Sequence, residues 1–222
     1  MEKVKYINIL KLVSIYFLIL GCNSQTTSSD EDVALALLLL NTDATQSESG
    51  NCSLRENGVV TSGSPLRTQV NASSTRCWML ISLENNGIQI AGNEANWDLR
   101  FRRFVIGTNS GTSGSGQSAA CDTGLTDFNV VNAGNKGNCS SNSEFIIDSI
   151  QTQEGAGFAD VNDSANSVLF NWYSYNNTVL TAKTNVYIIR GSNGITLFKL
   201  QMLDYYSAAG TSGYPQFRWS RL

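Results

Sequence analysis

The chain has 222 residues, of which 15 are basic, 18 are acidic and none is histidine, giving a formal net charge of −3 at pH 7. The absence of histidine excludes a Ser-His-Asp triad, a histidine general base and a histidine-rich metal centre. The acidic balance argues against a nucleic-acid-binding protein, because Arg100, Arg102 and Arg103 form a local group and not an extended basic surface.

Residues 1–21 have the parts of an export signal. A basic start is followed by a short apolar core, residues 12–20, and then by Gly21 directly before Cys22. The stretch ILGC, residues 19–22, resembles a bacterial lipobox, in which the cysteine thiol carries a lipid and the freed amino group carries a further acyl chain. More than one chain is needed for stable anchoring. The sequence therefore predicts a lipoprotein attached to the membrane through Cys22. The alternatives are an ordinary signal peptide and an N-terminal membrane helix.

Residues 22–50 are polar and acidic, and we interpret them as a flexible tether. Their apolar stretch VALALLLL, residues 33–40, is too short to cross a bilayer core, which needs about 20 residues in a helix. We expect a short helix that lies on the membrane or on the domain, with sorting or partner contacts as the alternative role. In composition the tether is similar to those of spirochaetal surface lipoproteins.

The remaining residues, 51–222, are enough for one domain with a hydrophobic core. Short apolar runs separated by turn residues indicate an all-β domain, and no segment has convincing helical periodicity. The first clear element is CWMLISLENNGIQI, residues 77–90. A strand through Ser82 is followed there by an Asn-Gly turn and a returning strand.

The next strand is predicted in NWDLRFRRFVIGTN, residues 96–109, where Trp97, Leu99 and Phe101 alternate with charged residues. Arg100 and Arg102 then share one face of this strand. A run of Gly, Ser and Thr follows, residues 110–116, and we expect it to rim the ligand-facing end of the domain, since loops of this length are usually functional or disordered.

Later strands are predicted from three apolar segments. The aromatic SVLFNWYSYN, residues 167–176, is expected to be a strand. Residues 185–206 form the clearest hairpin, with a turn at residues 191–194 and with Phe198, Leu200 and Met202 on one face. Phe217 and Trp219 share one face of the final strand.

Four cysteines, Cys52, Cys77, Cys121 and Cys139, lie in this domain. In an exported chain, an even set without a CxxC pair indicates two disulfides and not a zinc site. Three connectivities are possible, and we prefer Cys52–Cys77 with Cys121–Cys139 because each closes a local loop. On the chain-entropy model, each of these disulfides raises the free energy of unfolding by about 3 kcal/mol.

Two segments carry a resemblance to a known family. These are NWDLRFRRFVIGTNSGTSGSGQSAA, residues 96–120, and NWYSYNNTVLTAKTNVYIIRGSNGITLFKLQMLDYYSAAGTSGYPQFRW, residues 171–219. In order and spacing they resemble the HmuY family of secreted haem-binding lipoproteins, from Cys77 to Leu222. The resemblance implies two packed, mostly antiparallel sheets, exposure at the outer surface, haem as the ligand and an outer-membrane haem receptor as a candidate partner.

The haem ligands of the family do not carry over to this chain. Well-known members hold the iron between two histidines and relatives use methionines, whereas the expected loop here offers Thr178 and Val179. Met79 and Met202 lie inside strand patterns, where methionine fills core gaps more often than it binds iron. The remaining candidates are phenolates for ferric iron and arginines for the propionates of a tetrapyrrole. These candidates are Tyr173, Tyr175, Arg100, Arg102 and Arg190.

Two functions follow from these observations. The first is a surface lipoprotein of the outer membrane that binds haem or a related hydrophobic ligand. The alternative is an adhesin-like surface lipoprotein that binds host or partner proteins and has no haem site. An enzyme is not expected, because none of Lys136, Lys183 and Lys199 lies in an SxxK pattern.

Overall fold

The computed structural model describes residues 50–92, 95–153 and 161–222, without the side chains of Gln153 and Val161. The predicted signal peptide, the lipidation site Cys22 and the tether as far as residue 49 lie outside the described residues. Within the described ranges the strands pair antiparallel throughout, and the predicted all-β class is confirmed.

The main sheet has six strands in the order β1-β2-β14-β13-β12-β7. Their bounds are β1 Val59–Ser62, β2 Leu66–Val70, β7 Ala119–Asp122, β12 Val186–Arg190, β13 Leu197–Tyr206 and β14 Ser212–Arg221. The predicted hairpin of residues 185–206 is confirmed, with Ile189 opposite Phe198 in β12 and β13. Strand β14 pairs with β13 on one side and with β2 on the other, so it lies inside the sheet.

The second sheet has four strands in the order β4-β3-β5-β6. Their bounds are β3 Met79–Ser82, β4 Ile88–Ile90, β5 Leu99–Arg102 and β6 Val105–Thr108. The predicted hairpin with its Asn-Gly turn is confirmed, since Asn86 and Gly87 have φ of +60° and +70° between β3 and β4. The prediction of a single strand over residues 96–109 is wrong. Arg103 has φ +53° and reverses the chain, so that Arg102 pairs with Val105.

Two short ribbons and two single-turn helices complete the described structure. The ribbons are β8 Ser149–Gln153 with β9 Val161–Ala165, and β10 Tyr173–Asn176 with β11 Val179–Ala182. A 3₁₀ turn covers Asn142–Glu144, and α1 covers Ser167–Phe170. The prediction of one strand over residues 167–176 is therefore wrong in its first half. Asn166 caps α1 by accepting a hydrogen bond from the Val168 amide, and this local bond favours a helical turn before the strand begins.

The two larger sheets pack face to face around a common core. Phe101 from the second sheet stacks on Phe217 from the main sheet, with ring centroids 5.5 Å apart and planes 8° from parallel. The predicted face of β13 lies in the same core, which includes Phe198, Leu200 and Met202. Burial of these aromatic and aliphatic groups is the main stabilising contribution to the fold.

Both predicted disulfides are present, Cys52–Cys77 and Cys121–Cys139. All four cysteines are buried. Each bridge spans a local segment, with sequence separations of 25 and 18 residues, so each limits the freedom of the unfolded chain near one end of a sheet. Among the helices of the described residues, none is both long and apolar enough to cross a membrane.

Candidate ligand-binding site

The Gly/Ser-rich segment, residues 110–116, is held against the domain by a buried carboxylate. Asp148 accepts hydrogen bonds from the Thr108 amide at 2.8 Å, from the Ser113 hydroxyl at 2.5 Å and from the Asn166 side chain at 3.0 Å. Burial raises the pKa of Asp148, while these hydrogen bonds act in the opposite direction. Thus this polar segment is pinned, and none of its residues lines the pocket described below.

Arg100 and Arg102 share one face of β5, as predicted, but both contact the protein itself. Their guanidinium carbons lie 4.1 Å and 4.6 Å from the ring centroid of Trp78. Arg100 donates to Ser113 at 2.8 Å and to the carbonyl of Ser164, and Arg102 forms an ion pair with Asp163. Burial lowers the pKa of Arg100 to about 10. These contacts join β5 to the Gly/Ser-rich segment through Ser113 and to β9 through Asp163 and Ser164.

The other predicted ligand residues are spread over the molecule. Arg190 donates to the Gln117 carbonyl at 3.0 Å and to the Asn142 side chain at 2.7 Å, and it lies beside Phe145. Met79 and Met202 are buried in the common core. Of the predicted set, Arg100 and Arg102 lie together over Trp78, whereas Tyr173 and Tyr175 share an open pocket.

These two tyrosines line an open pocket of about 370 Å³, which we call the tyrosine pocket. Three parts of the fold meet there: the turn between β5 and β6, the β10–β11 hairpin, and the end of β13 with the start of β14. The lining residues are Arg103, Phe104, Tyr173, Tyr175, Thr178, Leu180, Tyr205, Tyr206, Gly210 and Ser212. A pocket of about 320 Å³ beside Trp219 also exists, but it presents fewer aromatic rings.

The aromatic side chains of the tyrosine pocket pack edge to face. Phe104 lies 5.5 Å from Tyr173 and 6.4 Å from Tyr205 between ring centroids, with interplanar angles of 62° and 64°. The buried Trp172 packs against this set, with its ring centroid 5.4 Å from that of Tyr173. Its indole N–H donates a hydrogen bond of 2.8 Å to the Phe104 carbonyl. Edge-to-face packing of this kind is favourable. Trp172 and Tyr205 are buried by it, so among these tyrosines the exposed ring is that of Tyr175.

The β10–β11 hairpin forms the outer wall of the tyrosine pocket. Tyr175 on β10 is 51 % exposed. The amide of Leu180 on β11 donates a hydrogen bond of 2.9 Å to the Tyr206 hydroxyl on β13. The two turn residues have φ of +47° at Asn177 and +67° at Thr178. A β-branched residue rarely adopts positive φ, so Thr178 stores backbone strain at the pocket rim.

The inner wall of the tyrosine pocket carries one cation and one deeply buried phenol. Arg103 donates to the Ser73 carbonyl at 3.3 Å and to the Ser212 hydroxyl at 3.1 Å. Its guanidinium carbon lies 5.9 Å from the ring centroid of Tyr205, which is only 4 % exposed. Burial raises the pKa of Tyr205 to about 12, although the charge of Arg103 acts in the opposite direction. The Tyr205 phenol is therefore neutral at physiological pH.

Sequence reasoning did not identify Arg103, Phe104, Tyr205 and Tyr206 as site residues. A usable signal was the DYY sequence at residues 204–206, which interrupts the alternation of β13. Asp204 accepts from the amides of both following tyrosines, at 2.6 Å and 3.2 Å, and the pairing with β14 shifts register at this point. A bulge of this kind turns side chains towards a site at the end of a strand.

The pocket offers few groups that could bind a metal. No histidine exists in the chain, and neither methionine nor cysteine is among the described residues that line the pocket. Over residues 50–92, 95–153 and 161–222, no cluster of three or more cysteine, aspartate or glutamate side chains is arranged to hold a metal ion. Tyrosine phenols are thus the lining groups able to ligate ferric iron.

Comparisons with known proteins identify one family. A family model described as HmuY protein matches residues 74–219, about two thirds of the chain. No curated protein matches the sequence.

Among solved structures, a protein from Bacteroides vulgatus described as HmuY-like and heme-binding has a TM-score of 0.55 at 17 % identity. The alignment covers 73 % of this chain and 96 % of that one. The apo HmuY analog of Tannerella forsythia has a TM-score of 0.53 at 16 % identity, with 77 % and 98 % covered. A Bacteroides fragilis protein described as a lipoprotein has a TM-score of 0.51 at 18 % identity, and the alignment covers 79 % of this chain and 96 % of that one. At these identities the likeness concerns the fold.

Proposed function

The chain belongs to the HmuY family, and from this premise we propose that it is an exported lipoprotein whose tyrosine pocket binds haem or a related planar tetrapyrrole. The family match spans every residue that lines the pocket. The heme-binding description of the Bacteroides vulgatus neighbour supports this class of ligand. We further propose that the protein acts by binding and not by catalysis.

The observation that carries the proposal is the concentration of aromatic rings around one open concavity. Four tyrosines and Phe104 line about 370 Å³, which lies in the range of about 300–1,000 Å³ typical of small-molecule sites. The volume is near the lower limit of that range, so the pocket would hold one edge of a macrocycle and leave the rest to solvent. An aromatic pocket with a single cation suits a flat ligand that has an apolar ring and an anionic edge.

The same lining implies that the ring system, and not the iron, supplies most of the affinity. The imidazole and thioether ligands typical of haem proteins are missing from the pocket lining, and the buried phenol of Tyr205 keeps its proton at neutral pH. Tyr175, whose ring is half exposed on the outer wall, is the phenol best placed to approach an iron. We therefore expect an iron-free porphyrin to bind about as well as haemin.

For the location of the protein we propose attachment to the outer membrane through lipidated Cys22, with residues 22–50 as a flexible tether. This part of the proposal rests on the lipobox-like ILGC at residues 19–22 and the polar sequence that follows. An outer-membrane haem receptor is the proposed partner that would take over the ligand. Labelling of the mature N-terminus with a radioactive fatty acid, and its loss in Cys22→Ala, tests the anchor separately.

The first experiment is a titration of the purified full chain with haemin, followed by Soret absorbance in both redox states, and with protoporphyrin IX, followed by fluorescence. Both ligands should saturate at one site. Tyr175→Ala removes one stacking ring and should weaken both by roughly 5- to 30-fold, equivalent to about 1–2 kcal/mol. Ile88→Ala is the matched control, because Ile88 is exposed to 52 % on β4 and does not line the pocket.

Each outcome of this titration has a distinct meaning. Binding of haemin without binding of protoporphyrin IX would contradict the ring-centred mode and point to iron ligation. Featureless titrations with both ligands would overturn the proposal and favour the alternative predicted from the sequence, a surface protein that binds host or partner proteins.

A further inference from the structure

Two buried hydrogen-bond donors in the tyrosine pocket have no acceptor. They are the Nε–H of Arg103 and the phenol of Tyr205, which belong to a group of five such buried polar atoms in the described part of the chain. Native proteins satisfy nearly all buried polar groups, so each exception calls for a specific explanation. Two exceptions that line the same pocket point to a common acceptor.

The guanidinium of Arg103 is fixed in position by its neighbours. Its terminal nitrogens are occupied by the Ser73 carbonyl and the Ser212 hydroxyl. Gly213 packs directly against it, since a Cβ at that position would come within 2.8 Å of Nη1. The donor geometry therefore exists before any ligand binds, which lowers the cost of binding.

The charge of Arg103 has no opposite partner within the described residues. The ion pair found there joins Arg102 to Asp163, and the carboxylate of Asp204, which precedes Tyr205 in the sequence, accepts from two backbone amides of its own strand. Tyr205 keeps its proton at neutral pH because burial raises its pKa, so it acts as a donor. A partly buried cation beside a neutral phenol is a site for an anionic oxygen.

We propose that Arg103 and Tyr205 together bind one carboxylate of the ligand, while its ring packs against Phe104 and Tyr175. This inference rests on the proposed function of the tyrosine pocket and names the chemical group that orients the ligand. It defines the ligand class as a flat aromatic system with an ionised carboxylate side arm, of which the free-acid porphyrins are one example.

Access to the two donors requires a small movement of the pocket wall. Neither atom is exposed to solvent in this structure. The β10–β11 hairpin can supply the movement, because it is a separate two-stranded sheet that is hydrogen-bonded to β13 by the Leu180 amide and the Tyr206 hydroxyl. On this proposal, ligand entry would have to displace the hairpin, whose Leu180 is buried in the common core, before both donors become accessible.

The experiment measures the affinity of the full chain for pairs of ligands that differ only in the carboxylate. The ligands are presented in detergent micelles, and the signal from micelles without protein is subtracted. Protoporphyrin IX is compared with its dimethyl ester, and 2-naphthoate with methyl 2-naphthoate. Each acid should bind about 10- to 100-fold more tightly than its ester, because a hydrogen-bonded charge is lost in the ester. Tyr205→Phe and Arg103→Lys should reduce this preference, whereas the matched controls Tyr214→Phe and Arg190→Lys, outside the pocket, should keep it.

The ligand series separates failure of this inference from failure of the proposed function. Equal binding of protoporphyrin IX and its ester would overturn the carboxylate pair and leave tetrapyrrole binding intact. Naphthoate binding that depends on Arg103, without any porphyrin binding, would support the pair and overturn the tetrapyrrole. No binding of any of the four ligands would overturn both. Unchanged melting temperatures of the variants ensure that a lost preference reports on the site.

Discussion

Replacing Thr178 by glycine should stabilise the domain, although it removes a side chain. Thr178 is the second residue of the two-residue turn between β10 and β11, with φ +67° and with Asn176 opposite Val179. A non-glycine residue in this conformation costs about 1–2 kcal/mol. Glycine removes that cost but loses about 0.5–1 kcal/mol through the greater freedom of the unfolded chain. The central values of these two ranges differ by about 0.75 kcal/mol, which is the expected net gain.

Thermal unfolding followed by circular dichroism measures this gain, which corresponds to a rise of roughly 1–4 °C in Tm for a domain of this size. Asn177→Gly is the matched control in the same turn. Asparagine tolerates positive φ well, so its replacement should leave Tm unchanged or slightly lower. A Thr178→Gly variant that melts at or below the wild-type temperature would refute the strain argument.

Two further predictions concern the core and the buried carboxylate. Phe217→Ala should lower the free energy of unfolding by about 3–5 kcal/mol in urea denaturation, because Phe217 is fully buried against Phe101; a loss below about 1 kcal/mol would contradict its place in the core. The second prediction compares how the stability of wild type and of Asp148→Asn depends on pH. Because burial raises the pKa of Asp148 above its ordinary value of 3.8, the folded state binds this proton more tightly than the unfolded state. Wild type should therefore gain stability relative to Asp148→Asn as the pH falls from 7 towards 3.8, and gain no more below that; a constant difference across this range would contradict it.

The parts of the fold that the sequence predicted well are those governed by local rules. The alternation of Phe198, Leu200 and Met202 predicted the inward face of β13, and these side chains lie in the common core. The Asn-Gly turn at residues 86–87 predicted a hairpin because positive φ suits both residues. The nearest-neighbour pairing of the cysteines was predicted from loop length alone.

The errors arose where polar residues have partners far away in the chain. Arg103 reverses the chain between β5 and β6 without glycine or asparagine in the turn, so the local sequence gave no signal. The Gly/Ser segment, residues 110–116, is held in place by Asp148, some 35 residues from Ser113 in the chain, and the sequence did not predict this contact. Asp98 is one of the charged residues that alternate with Trp97, Leu99 and Phe101, yet it is buried and accepts hydrogen bonds from the amides of Leu83 and Ser192. Long-range hydrogen bonds of this kind leave no periodic pattern.

The candidate site was predicted only in part for the same reason. Tyr173 and Tyr175 were identified because they lie in an aromatic segment that matches the family. The tyrosine pocket also needs Arg103 from a turn and Tyr205 from a bulge, and these residues meet only when the two sheets have packed. No spacing rule within one segment predicts such a meeting.

The position of β14 inside the main sheet has a consequence for the biogenesis of the protein. This strand follows every other described strand in chain order, yet it joins β2 to β13. During synthesis from the N-terminus, the β1–β2 hairpin can therefore join the rest of the main sheet only after β14 has emerged, and contacts between such distant segments form slowly. If the chain is exported as we propose, an incomplete main sheet would help to keep it in an unfolded state that a secretion channel can thread. On that proposal, the strand order would delay completion of the main sheet until the last strand has crossed the membrane.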